Sequence, residues 1–114
     1  MQNKLNLLYI DETKTIVDAI KQLNKNGTKF LAVIGKRHKY LGSLTDADIR
    51  RYYLKGLTAT TPVSKVCNKK SKFIYFKRLT DLKVKQIFKN NAIDALPILN
   101  KDKIRIVDGD TIVL

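Results

Sequence analysis

Apolar positions along the chain recur with two different periods, and the changes between them outline the elements. Leu5 to Ile10 is a largely apolar lead-in that predicts an extended segment. Ile16, Ala19, Ile20 and Leu23 then fall at i, i+3, i+4 and i+7, which places them on one face of a helix. Thr15 with Asp18 three residues on reads as the capping pair of that helix, and Gly27 stands where its C-terminal cap belongs. Lys29 to Ile34 and Tyr40 to Leu44 flank the charged turn Gly35 to Lys39 and predict a hairpin. Thr45-Asp46-Ala47-Asp48 leads into a second helix carrying Ile49, Tyr52, Tyr53 and Leu57, with both tyrosines expected in the core. Lys55-Gly56 closes it with a basic residue and a glycine.

Beyond Thr60-Thr61-Pro62 the order repeats. Pro62 suits the start of a short helix running to Val66. Phe73 to Phe76 predicts a strand that feeds the core. Thr80 can cap a helix whose apolar face is Val84, Ile87 and Phe88 and which ends at Asn90-Asn91. Ala95 to Leu99 and Ile104 to Val107 form a further hairpin around Asn100 to Lys103, where Pro97 points to an edge strand or a cavity wall. Shifted by 65 positions, Asn26 falls on Asn91, Leu31 on Leu96, Val33 on Ile98 and Ile34 on Leu99. After a two-residue shortening of the turn, Leu41 falls on Ile104, Leu44 on Val107 and Ile49 on Ile112. The expected class is therefore α/β (α+β), with two βαββα-type repeats at 1–58 and 59–114, the second lacking its last helix. Units of ~55 residues bury their own faces poorly, so one globule with pseudo-two-fold symmetry is expected. A chain that stops where a helix should begin is expected to continue into another domain.

Composition narrows the classes. With 44% hydrophobic residues in 114, the chain can fill a core, so disorder is excluded as its main state. No apolar run is long enough for a membrane helix, and Met1-Gln2-Asn3-Lys4 lacks a signal-peptide pattern, so a cytoplasmic location is expected. The single cysteine, Cys67, rules out a disulfide framework and is expected to be a small buried residue. His38 lies among basic residues with no second histidine, so no metal site is expected, and no catalytic constellation stands out.

Charge adds an attraction for anions: 23 Lys plus Arg against 10 Asp plus Glu give +13. Eighteen of the basic residues are lysines, scattered from Lys4 to Lys103. Only Phe73-Ile74-Tyr75-Phe76 beside Lys77-Arg78 interleaves aromatic and basic residues as nucleic-acid modules do. That run reads as a core strand, so nucleic acid is not expected as a partner.

The stretch that carries chemistry is Gly42-Ser43-Leu44-Thr45-Asp46-Ala47-Asp48-Ile49-Arg50-Arg51, a strand ending at the first turn of a helix. Backbone N–H groups there can receive an anion, and the Thr45 hydroxyl can donate to a phosphate oxygen. Gly42 would leave room for a ligand beside the strand. Asp48, repelled by phosphate, could accept hydrogen bonds from a ribose diol. Thr45 and Asp48 also make a capping pair that needs no ligand, and Arg50 and Arg51 can reach a phosphate or pair with acids.

Gly42, Thr45 and Asp48 match Gly-x-x-Thr/Ser-x-x-Asp, the nucleotide-site signature of CBS domains. With the repeat, Asn26-Gly27 and Leu96-Pro97-Ile98, the chain resembles a CBS pair, or Bateman module. Leu44 to Arg51, Leu54-Lys55-Gly56-Leu57 and Pro62 to Val66 are most similar to pairs preceding bacterial sugar-phosphate nucleotidyltransferase domains. The resemblance implies a non-catalytic regulatory module whose Thr45 and Asp48 contact an adenosine-type nucleotide such as AMP, ADP or ATP. It also implies a homodimer through the CBS helices and control of an enzyme domain beyond Leu114. At the aligned positions the second repeat has Arg105, Asp108 and Thr111, so at most one nucleotide site is expected. A ligand-free dimerisation module is the alternative reading, and a basic nucleic-acid binder the third.

Overall fold

The computed structural model describes residues 8–26, 29–56, 58–91, 95–100 and 103–108. The chain divides into two compact units, Met1–Ser71 and Lys72–Leu114. The segment after residue 58, where the sequence repeat begins anew, therefore packs with the first unit up to Ser71.

In the first unit, β1 (Tyr9–Asp11), α1 (Ile16–Asn26), β2 (Phe30–Ile34), β3 (Tyr40–Thr45) and α2 (Asp46–Tyr53) follow one another. The sheet order is β1-β2-β3, with β1 parallel and β3 antiparallel to the central β2. Every side chain of β2 is buried, as its uninterrupted apolar sequence requires for a strand covered on both faces. From α1, Ile16, Ala19 and Leu23 meet Leu31, Val33, Leu44 and Ile49 in one core. A fully buried aliphatic side chain such as Leu31 contributes about 1.5–3 kcal/mol, so this cluster dominates the stability of the unit. The ladder between β2 and β3 shifts register between Val33 and Ile34: Gly42 pairs with Val33 and Tyr40 with Ile34, leaving Leu41 as the extra residue of a bulge. Residues 58–71 complete the unit, with Pro62 bridging Thr15 and with Val63, Val66 and Cys67 entering the core.

The second unit repeats the plan with β4 (Ile74–Tyr75), α3 (Asp81–Asn90), β5 (Ala95–Asn100) and β6 (Lys103–Asp108). Its sheet order is β4-β5-β6, again one parallel and one antiparallel pairing about a central strand. The pairs Leu31–Leu44 and Leu96–Val107 occupy the same step of the two ladders, as do Val33–Gly42 and Ile98–Arg105. The repeat inferred from apolar positions is thus a repeat of strand register, except that the bulge displaces Leu41: Ile104 pairs with Leu99 as Tyr40, not Leu41, pairs with Ile34, and Ile112 lies outside the described residues. Ile74, Val84, Leu96 and Ile98 form the core, flanked by Leu79, Ile87 and Phe88.

Several local expectations are corrected. The helix expected from Pro62 to Val66 is a single 3-10 turn, Val63–Lys65, and Pro62 precedes it in extended conformation. The run Phe73 to Phe76 supplies only two strand residues and only Ile74 to the core, because Phe76 turns into a second 3-10 turn, Phe76–Arg78. Tyr52 packs against the first core, but Tyr53 is 60% and Leu54 92% exposed. A helix of eight residues has room inward only for Ile49 and its i+3 neighbour. Pro97 lies in the central strand, not at an edge, and is fully buried. It is accommodated because the short β4 pairs only with Ile98 and Leu99, so the ladder on that flank begins after the proline. Gly27 and Leu57, expected near the helix ends, and Leu5 lie outside the described residues.

Candidate functional site

The β3–α2 junction places the three motif residues within one turn of chain. Thr45 ends β3 in extended conformation (φ −119°, ψ 165°) and becomes the N-cap of α2. Its hydroxyl oxygen accepts the Asp48 N–H at 3.2 Å. In return, Asp48 Oδ2 accepts the Thr45 N–H at 2.9 Å and the Thr45 hydroxyl at 3.0 Å. This closed exchange satisfies two backbone donors of the helix start and locks the carboxylate in place. Thr15 and Asp18 make the same exchange at the start of α1, so the pairing belongs to Thr-x-x-Asp as local chemistry.

Burial distinguishes the two pairs. Asp48 is 5% exposed, whereas Asp18 is half-buried. The second carboxylate oxygen of Asp48, Oδ1, lies 3.6 Å from Nη2 of Arg51, whose side chain is largely in solvent. Arg50 reaches Asp46 at 3.6 Å. Both arginines therefore pair with acids on their own helix: Arg50–Asp46 is exposed and costs little to open, whereas Arg51 meets a buried carboxylate.

A Cβ built on Gly42 would lie 2.5 Å from the Asn68 carbonyl oxygen and 2.9 Å from its carbon. The glycine is required by the chain itself, which passes across β3 at this point. Ser43 N–H donates to Asn68 O at 3.1 Å and Asn68 N–H to Ser43 O at 2.7 Å, a complete two-bond bridge. The Tyr40 hydroxyl and Ser71 Oγ, 2.7 Å apart, clip the far end of the crossing segment. Burial raises the Tyr40 phenol above its ordinary pKa, partly offset by hydrogen bonds from Ser71 and Ser43. Burial likewise pushes the Cys67 thiol up; Lys69 opposes this and the Asp48 carboxylate reinforces it. The surroundings of Asp48 thus include Cys67, and the wall beside Gly42 is Asn68 with Lys69. Sequence reasoning missed this wall, because Val66 to Ser71 shows no alternation and joins the sheet through one bridge.

Arg50, Arg51, His38 and Cys67 enter no metal-binding group, and the described residues hold no cluster of three or more His, Cys, Asp or Glu suited to one. His38 is exposed in the 3-10 turn Lys36–His38. No helix among the described residues is long and apolar enough to cross a membrane. In the second unit Arg105 pairs with Ile98 as Gly42 pairs with Val33, and Asp108 with Ala95 as Thr45 with Phe30. Thr111 lies outside the described residues.

The family model of the CBS domain matches residues 3–55, from before β1 to just past α2. Residues 3–55 are a CBS domain. The chain is 31% identical over 90 residues to arabinose 5-phosphate isomerase GutQ of Salmonella typhi, covering 79% of this chain and 24% of that protein. It therefore spans about a quarter of the curated relative's length. Among solved structures it resembles CbpB from Streptococcus agalactiae (TM-score 0.72, 25% identity, 90% of this chain and 67% of that one). A CbpB in complex with c-di-AMP gives a TM-score of 0.70 at 26% identity, over 90% of this chain and 71% of the other. The CBS domain NE2398 shares the fold over 89% of this chain and 80% of its own, with a TM-score of 0.75 at 19% identity. The CBS fold accordingly extends across the second unit.

Proposed function

We propose that the chain is a regulatory module that binds an adenosine-type nucleotide at the start of α2 and signals its occupancy to an enzyme domain of a longer protein. The observation that carries this reading is the buried Asp48 carboxylate: Oδ2 is consumed by the cap, while Oδ1 lies 3.6 Å from the exposed Arg51 guanidinium. A ribose diol can displace Arg51 from Oδ1, and the released guanidinium can turn to the phosphate. Thr45 supplies a hydroxyl, and Gly42 lets the Asn68–Lys69 backbone form the neighbouring wall. Two adenosine phosphates make up c-di-AMP, the ligand of the similar CbpB, which favours an adenine nucleotide here. The attached enzyme acts on a sugar phosphate: the motif context resembles pairs ahead of sugar-phosphate nucleotidyltransferases, and GutQ is a sugar-phosphate isomerase. Control follows from differential affinity, since a nucleotide that prefers one arrangement of the module shifts what the neighbouring domain meets.

A thermal-shift series with AMP, ADP, ATP, c-di-AMP, S-adenosylmethionine and GTP tests the reading. An adenine nucleotide should raise the midpoint of the native chain and leave Asp48→Ala unmoved. No shift with any of them would remove the ligand and favour a structural homodimerisation module. That second reading has its own support in Ile20 of α1 and in Tyr53 and Leu54 at the end of α2, all large apolar side chains facing solvent.

A further inference from the structure

Lys72 to Thr80 contains three cationic residues and no acidic one. The structure puts its aromatics on the surface of the second unit. Ile74 enters the core, so Tyr75, its neighbour on β4, faces the opposite way, and Phe73 precedes the strand. Phe73 is 41%, Tyr75 50% and Phe76 51% exposed. The Phe73 and Tyr75 rings meet edge to face, with centroids 5.3 Å apart at 88°, which restrains the half-exposed Tyr75 ring. The following 3-10 turn carries Lys77 and Arg78, and Lys72 precedes the strand, all three exposed.

We propose that this patch is a docking surface for single-stranded nucleic acid. Tyr75 and Phe76 stack on successive bases, and Lys72, Lys77 and Arg78 hold the intervening phosphates. Charge complementarity selects the occupant: an apolar partner would leave the exposed cations of Lys72, Lys77 and Arg78 unmatched, and a duplex keeps its base faces stacked inside. The inference uses none of the residues of the Thr45–Asp48 site, and all of its own belong to the second unit.

The test uses the full chain and a fluorescein-labelled twelve-nucleotide oligouridylate, followed by anisotropy across a salt series. Binding should weaken with salt, and Lys72→Ala/Lys77→Ala/Arg78→Ala should reduce the logarithmic slope by about 2, at ~0.7 per phosphate contact. Tyr75→Leu/Phe76→Leu should weaken binding roughly a hundredfold, about tenfold per lost stack, with an unchanged slope. Because the chain has five tyrosines and no tryptophan, stacking also quenches tyrosine emission, and Tyr75→Phe should remove that quench while keeping the affinity. This conservative variant decides the matter even where the double variant unfolds. A quench that survives Tyr75→Phe, a folded leucine variant that binds within twofold of the native chain, or equal affinity for duplex RNA would each reduce the attraction to diffuse charge and overturn the proposal.

Discussion

Replacing Gly42 by alanine separates two explanations of the same residue. If the glycine only left room for a ligand, the empty protein would gain about 0.4–1 kcal/mol, because alanine restricts the unfolded chain. The structure predicts the opposite sign. The new methyl would sit 2.5 Å from Asn68 O, 2.9 Å from Asn68 C and 3.2 Å from Lys69 Cα, all main-chain atoms that no rotamer change can move. The crossing segment must lift by about an ångström to restore normal contact, which breaks the two hydrogen bonds between Ser43 and Asn68. Each contributes roughly 1 kcal/mol, and loosened packing of Val66 and Cys67 adds to the loss, so about 2–3 kcal/mol is expected. For a chain of this size that lowers the midpoint by roughly 10 °C. Urea unfolding followed by far-UV circular dichroism measures it, with Gly56→Ala for contrast. Gly56 has a φ of +88° and nothing within 4 Å of the site of a Cβ, so its loss of about 1–2 kcal/mol is pure backbone strain. A Gly42→Ala protein as stable as the native one would refute the steric argument and return the glycine to the ligand.

Thr45→Ala removes a reciprocal cap and should destabilise by about 1 kcal/mol, while Thr80→Ala, which caps α3 through the Lys83 N–H, should cost a similar amount; paired denaturation curves compare them. Asp18 is held below its ordinary pKa by the Thr15 N–H and hydroxyl, and Asp11 by the Thr13 hydroxyl and N–H. A depressed folded-state pKa means stability that is present above the unfolded value and lost as pH falls through the folded one. The urea midpoint should therefore decline below about pH 4, and Asp18→Asn should flatten that decline. Cys67 is buried, its thiol is raised by that burial, and its S–H lies 3.7 Å from Ser64 O. Labelling with a disulfide reagent at pH 8 should be slow in the native chain and fast in urea, and prompt native labelling would contradict the packing of residues 63–67.

The three helices and both hairpins were legible because their apolar positions carry a period and the helix starts carry caps: Thr45 with Asp48, Thr15 with Asp18, and Thr80. The alignment of Leu31 with Leu96 and Val33 with Ile98 anticipated register, since only one offset keeps both apolar sets facing inward. Where length and tertiary context decide, pattern was insufficient. Tyr53 fits a helical stripe, but α2 ends too soon to turn it inward, and Phe73 to Phe76 looks like a core strand although the chain turns at Phe76. At the site, the capping exchange was readable from Thr45 and Asp48. The Asn68 crossing was not, because backbone-to-backbone bonds leave no trace in side-chain identity, and the only sign of it was a glycine open to another explanation.

That crossing also settles the fate of a border. The strand β3 lies at the margin of its sheet, and such a margin offers a row of unclaimed peptide groups on which a second chain can extend the sheet, the first step towards fibrous aggregation. Asn68 claims the outward N–H and C=O of Ser43 and closes the middle of that row from within the same molecule. A change that lifts the crossing would reopen the β3 margin to another copy, and rising turbidity should report it first.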